Sequence, residues 1–190
     1  MFSDYFSLGW EHILAWGAWD HLLFIMALGA IYSVKEWKPI LVLVTAFTIG
    51  HSVTLALSAF NLIKYSSSWI EFLIPCTIVV TGLSNTFIKK YTGTGIRINY
   101  FFALFFGLIH GMGFASGLKS LLGKETSITL PLLGFNLGLE AGQIVVVACM
   151  MLFALLMLSI FKVNRRDYVI FLSGGVAVSA LIMALDRIPF

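Results

Sequence analysis

The chain has 190 residues, of which 59% are hydrophobic, 15% aromatic and only 11% charged, with a mean hydropathy of +0.97. A water-soluble domain is about half apolar and about one-quarter charged, so these figures exclude a soluble globule and intrinsic disorder alike. The net charge of +3 is small and its Lys and Arg residues fall between apolar runs, which leaves nucleic-acid binding without a basis. Cys76 and Cys149 lie inside apolar runs and make neither a disulfide framework nor a CxxC metal site.

A membrane-spanning helix needs about 20 mostly apolar residues. Six segments qualify: 10–32, 39–60, 69–88, 100–118, 130–160 and 168–185. The first has no basic stretch ahead of it and is interrupted by Glu11, His12, Asp20 and His21, unlike a cleaved signal peptide. The fifth is longer than a bilayer requires, which predicts tilt or an irregular start near Pro131 and Gly134. The connections are short and polar. The expected architecture is therefore an all-α integral membrane protein, one domain over residues 1–190, built as a single bundle of about six transmembrane helices.

Orientation follows from the basic residues. Lys35, Lys38, Lys89, Lys90, Arg97, Lys162, Arg165 and Arg166 follow the first, third and fifth spans, whereas Lys64, Lys119, Lys124 and Arg187 lie on the opposite side. Eight against four places both termini outside, in a multi-pass protein of the bacterial inner (cytoplasmic) membrane.

All four histidines, His12, His21, His51 and His110, fall inside these spans, as do Asp20 and Glu140. An ionisable group in hydrocarbon costs several kcal/mol, so it faces the bundle interior and has a partner. Counted along each span, Asp20, His21, His51, His110 and Glu140 reach a common layer, with His12 about two turns nearer the outside. Thr45, Thr48, His51 and Ser52 share one side of the second span, and Asn136, Glu140 and Gln143 form a stripe on the fifth. Several imidazoles and a carboxylate at one depth make a ligand set for a divalent transition metal: nickel, cobalt, zinc or copper. Asp20, His21, His51 and His110 are the principal candidates. His12 and Glu140 are secondary ones, and Asp20 can instead orient a neighbouring imidazole.

At these residues the chain resembles the HupE/UreJ family of membrane proteins, in its second HupE/UreJ group. The matching stretches are Gly9-Trp-Glu-His-Ile13, Gly17-Ala-Trp-Asp-His-Leu-Leu-Phe24 and Thr45-Ala-Phe-Thr-Ile-Gly-His-Ser-Val-Thr-Leu55. Phe106-Gly-Leu-Ile-His-Gly-Met-Gly-Phe-Ala115 and Phe135-Asn-Leu-Gly-Leu-Glu-Ala-Gly-Gln143 complete the set. The family is named for accessory genes of two nickel enzymes, hydrogenase and urease. The resemblance implies a nickel or cobalt permease, with Asp20, His21, His51 and His110 as its motif residues. The tighter His-Pro-x-x-Gly-x-Asp-His form of nickel permeases is not found: His12 is followed by Ile13 and lies eight residues before Asp20.

A second reading stays open. Three histidines, an acid and a serine on separate spans also resemble, more distantly, zinc-dependent membrane hydrolases related to alkaline ceramidases. There His21, His51 and His110 would hold zinc, Asp20 or Glu140 would handle the proton, and Ser52 would assist the oxyanion, on a lipid or membrane-peptide substrate. On the ligand-bearing spans, only Thr45 and Thr48 offer clear polar atoms inward of the layer, which suits an outward-facing enzyme better than a permease. The family resemblance and the acids near the site favour a cation as cargo, and divalent-metal transport is the leading expectation. The expected partners are the metal ion and membrane lipid, with a homo-oligomer or a membrane complex left open.

Overall fold

The computed structural model describes residues 2–88, 96–122 and 128–189. Lys89, Lys90 and Lys124, which enter the charge count, lie outside the described residues. Among the described residues, seven α-helices follow in chain order: α1 (Phe2–Leu14), α2 (Trp19–Gly29), α3 (Trp37–Ala59), α4 (Ser67–Phe87), α5 (Ile96–Leu122), α6 (Thr129–Leu155) and α7 (Arg165–Asp186). Among the described residues, five helical segments are long and apolar enough to cross a membrane. The pair α1 and α2 passes the same test together as a sixth. Large apolar side chains such as Phe101 and Phe171, 75% and 85% exposed, coat the outside as lipid-facing groups do.

Two expectations are corrected. The first span is not one helix over 10–32: helix begins at Phe2, and α1 and α2 meet at a bend of 68° across Ala15-Trp16-Gly17-Ala18. Glycine at this point weakens the helix, and Gly17 faces open space while Trp16 is 92% exposed, so no packing straightens the chain. The fifth span starts regularly, with Pro131 in the first turn, where its missing N–H is no loss. Its irregularity is at the other end, where α6 widens into a π-helical turn, Leu156–Ile160.

Three helix pairs pack most closely: α1 with α6, α3 with α5, and α4 with α7. The first two rest on glycines that let backbones touch. A Cβ on Gly9 would strike the Phe135 carbonyl, and one on Gly138 the Phe6 carbonyl. Likewise a Cβ on Gly107 would strike the Phe47 carbonyl, and one on Gly111 the His51 carbonyl. Helix α2 is held between these pairs. At its end the Asn85 amide donates to the Ala27 carbonyl at 2.7 Å, satisfying an orphan acceptor. Arg187 past the end of α7 pairs with Asp20 at 3.1 Å. At the start of α7, Arg165 reaches Glu36 at 2.6 Å and donates to the Ile31 carbonyl at 2.7 Å.

Gly107→Val should therefore disrupt the α3–α5 contact, at a cost of about 2 kcal/mol or more. Gly174→Ala, at a helical glycine with no atom near its Cβ position, should be neutral or stabilising by about 0.5–1 kcal/mol. Thermal unfolding of the two variants in detergent checks the contrast.

Candidate metal centre

His12 and His21 are nine residues apart. An uninterrupted helix would put them on opposite faces, about 13.5 Å apart along its axis. The bend brings them together instead, with ring centroids at 4.5 Å. His51, from the middle of α3, stands 6.0 Å from each of them. One ligand nitrogen from each of these three residues lies within 4.8 Å of the other two. Metal–nitrogen bonds are about 2.0–2.1 Å, so modest ring rotations gather the three around one ion. His110, from α5, is the fourth imidazole, its ring 5.5 Å from that of His21.

The hydrogen-bond ledger of these rings is unusual. His51 is 0% and His110 1% exposed. Yet His12 Nε2, His21 Nε2, both nitrogens of His51, and His110 Nδ1 are buried without a hydrogen-bond partner among the described residues. Buried polar atoms are nearly always paired, and each unpaired one costs about 1–3 kcal/mol. Each neutral ring has one lone pair to give, and those of His12, His21 and His51, with His110 beside them, form a ligand set suited to a Lewis acid.

Thr77 orients one member. Its hydroxyl donates to the Ile74 carbonyl at 2.6 Å and lies 3.2 Å from His110 Nε2. With its proton committed to Ile74, the hydroxyl accepts from Nε2–H, which leaves the Nδ1 lone pair of His110 free for a ligand.

Phenylalanines enclose the group. Phe114 lies 4.1 Å from His12, and Phe135 stacks on Phe114 at 5.0 Å. Phe47 and Phe24 sit beneath His110 at 5.1 and 5.0 Å and touch each other at 4.8 Å, forming an aromatic floor. Above the floor, a vestibule of about 410 Å³ is lined by His12, His21 and His110 at its base. The exposed Gly17 and Glu71, with the half-buried Asp20 and Arg187, stand around it. The bend creates this space, because α1 leans towards α6 while α2 stays with α4 and α7.

The remaining candidates lie elsewhere. Asp20 lines the vestibule with its carboxylate turned to Arg187, at 3.1 and 3.2 Å. Glu140 accepts from Thr45 at 2.7 Å on the α3–α6 seam, and Thr48 donates to Gln143 at 2.7 Å beside it. Ser52 donates to the Thr48 carbonyl of its own helix at 2.7 Å. The groups considered for hydrolysis thus each have a partner of their own, and among the described residues no carboxylate joins the His12, His21 and His51 group. Thr77 is not singled out by the sequence, and Arg187 counts there only among the basic residues. The Thr77-to-Thr81 spacing on one helix face was the available signal for the first of them.

A family model described as HupE / UreJ protein matches residues 1–187, essentially the whole chain, and the chain belongs to that family. No curated protein and no solved structure matches it.

If Thr77 sets the tautomer of His110, Thr77→Val should weaken divalent-metal binding to the purified protein by about 10–100-fold, while Thr77→Ser should retain it. Calorimetric titration with nickel in detergent reads both.

Proposed function

Given this membership of a family related to nickel and cobalt transport, we propose that the chain is a divalent transition-metal permease of the bacterial inner membrane, carrying nickel or cobalt. The observation that carries the reading is the cluster of unpartnered imidazole nitrogens, with His12, His21 and His110 at the base of an open vestibule and His51 buried beside them. Imidazole nitrogen suits both ions. The excess of basic residues on the connections after the first, third and fifth spans supports a vestibule facing outward, towards the source of the metal.

Electrostatics favour passage over residence. A divalent ion on neutral imidazoles in an apolar box keeps most of its charge uncompensated, since Asp20 is spoken for by Arg187. Such a site binds firmly enough to strip water from the ion and weakly enough to release it, as conduction requires. In this reading His12, His21, His51 and His110 replace part of the hydration shell. Asp20, Arg187 and Glu71 define the electrostatics of the approach, and the Phe24–Phe47 floor holds the inner side closed to water. The hydrolytic alternative gains no support from Ser52, whose hydroxyl serves the Thr48 carbonyl.

Purified protein in liposomes should take up labelled nickel or cobalt in a saturable way. His51→Ala and His12→Ala should each lower uptake by at least about tenfold and weaken metal binding in parallel. Absence of uptake by the wild-type protein, or uptake unchanged in both variants, would overturn the assignment.

A further inference from the structure

A second cavity lies on the other side of the aromatic layer. It has a volume of about 150 Å³ and is lined by Leu28, one turn beyond Phe24, by Phe106, which packs on Phe24 at 5.9 Å, and by Thr81, Ser84, Asn85 and Asn99. Three of these polar residues belong to α4. Together with Thr77 they fall at spacings of four, seven and eight residues, which is one face of a helix. That face starts at the hydroxyl bonded to His110 and runs about 12 Å towards the opposite end of the bundle. The inner half of the bundle is therefore not wholly apolar; three of this cavity's polar side chains sit on the third span, which carries none of the histidines, and Asn99 sits on the fourth.

The direction of the hydrogen bonds defines what the cavity offers. Thr81 donates to the Thr77 carbonyl at 2.8 Å and Ser84 to the Val80 carbonyl at 2.6 Å. The amide nitrogen of Asn85 donates to the Ala27 carbonyl at 2.7 Å and to Ser173 at 3.2 Å, and that of Asn99 to the Tyr32 hydroxyl at 3.3 Å. Thr81, Ser84 and Asn85 thus commit their O–H and N–H groups within the protein and retain oxygen lone pairs for a ligand, while Asn99 commits one N–H and presents its carbonyl oxygen as an acceptor. A lining of acceptor oxygens favours a cation and disfavours an anion. Neutral oxygens suit an ion that keeps part of its water, and the volume holds a small ion with several water molecules.

We propose that this cavity is the inner half of the translocation path. A partly hydrated divalent cation leaving the histidine cluster is received by the oxygens of Thr81, Ser84, Asn85 and Asn99, once the Phe24–Phe106 contact parts. The inference rests on the permease reading, and it assigns these residues a role in passage and none in capture. Imidazoles remove the ion from the vestibule; hydroxyl and amide oxygens, being weaker ligands for nickel or cobalt, let it go on.

The test compares equilibrium nickel binding by purified protein with nickel uptake by the same protein in liposomes. The near-isosteric double variant Thr81→Val with Ser84→Ala and, separately, Asn99→Leu should bind nickel as the wild type does. Uptake should fall about tenfold in each, the kinetic equivalent of one lost oxygen contact during passage. Thr81→Ser should restore wild-type uptake. Undiminished uptake in both altered proteins would overturn the inner path while leaving the permease reading intact. Loss of binding along with uptake would overturn it too, by tying these residues to the histidine site. Wild-type protein that binds nickel but moves none would overturn the permease reading itself and the path with it.

Discussion

Two packing demands pull the first membrane span apart, and the rest of the molecule is organised by that conflict. Helix α1 is locked to α6 where Gly9 and Gly138 let backbones touch, while α2 is held by Asn85 of α4 and, through Asp20, by Arg187 after α7. A straight helix cannot satisfy both. The chain yields at Gly17, where a lone glycine on the surface offers the least resistance. From this one concession come the vestibule, the approach of His12 to His21, and the exposure of Trp16.

The centre that results is composed of imidazoles, with no carboxylate in its group among the described residues. Metal sites in proteins draw on carboxylates, thiolates and imidazoles, and some hold the ion on histidines alone. Here Asp20 and Glu140, the carboxylates that the sequence offers as candidate ligands, are engaged with Arg187 and Thr45. The imidazoles stand among Phe24, Phe47, Phe114 and Phe135, with at least one buried nitrogen of each unpartnered among the described residues. Such an arrangement holds unmet coordination capacity in a place where water has little access. It also explains why Thr77 matters: its hydroxyl fixes the tautomer of His110, which then presents a defined lone pair.

Much of this was legible in the sequence, and the illegible part has a physical cause. Apolar run length gave the last five spans within a few residues, because hydrocarbon tolerates little else. The concentration of every histidine inside those runs pointed to a buried centre, since burial of imidazole demands a reason. What periodicity could not reveal was the bend. Counting His12 as two turns above the layer assumes a continuous helix, and the position of that ring depends instead on contacts with α6, far along the chain. The same assumption hid the vestibule. Thr77, Thr81 and Ser84 were overlooked for another reason: threonine and serine inside apolar helices usually bond their own backbone, as these do, and only the tertiary structure shows which faces they line.

Helix α7 contributes none of the imidazoles, yet its fastening bears on how the bundle can deform. Its 22 residues are anchored by Arg165 to Glu36 and the Ile31 carbonyl at one end, and by Arg187 to Asp20 at the other. A rod pinned at both extremities cannot slide lengthwise without breaking an anchor. It can still lean about them, as a beam leans on its bearings. Axial displacement is thereby reserved for helices without such anchors, and α2, tied to the same beam, follows its tilt.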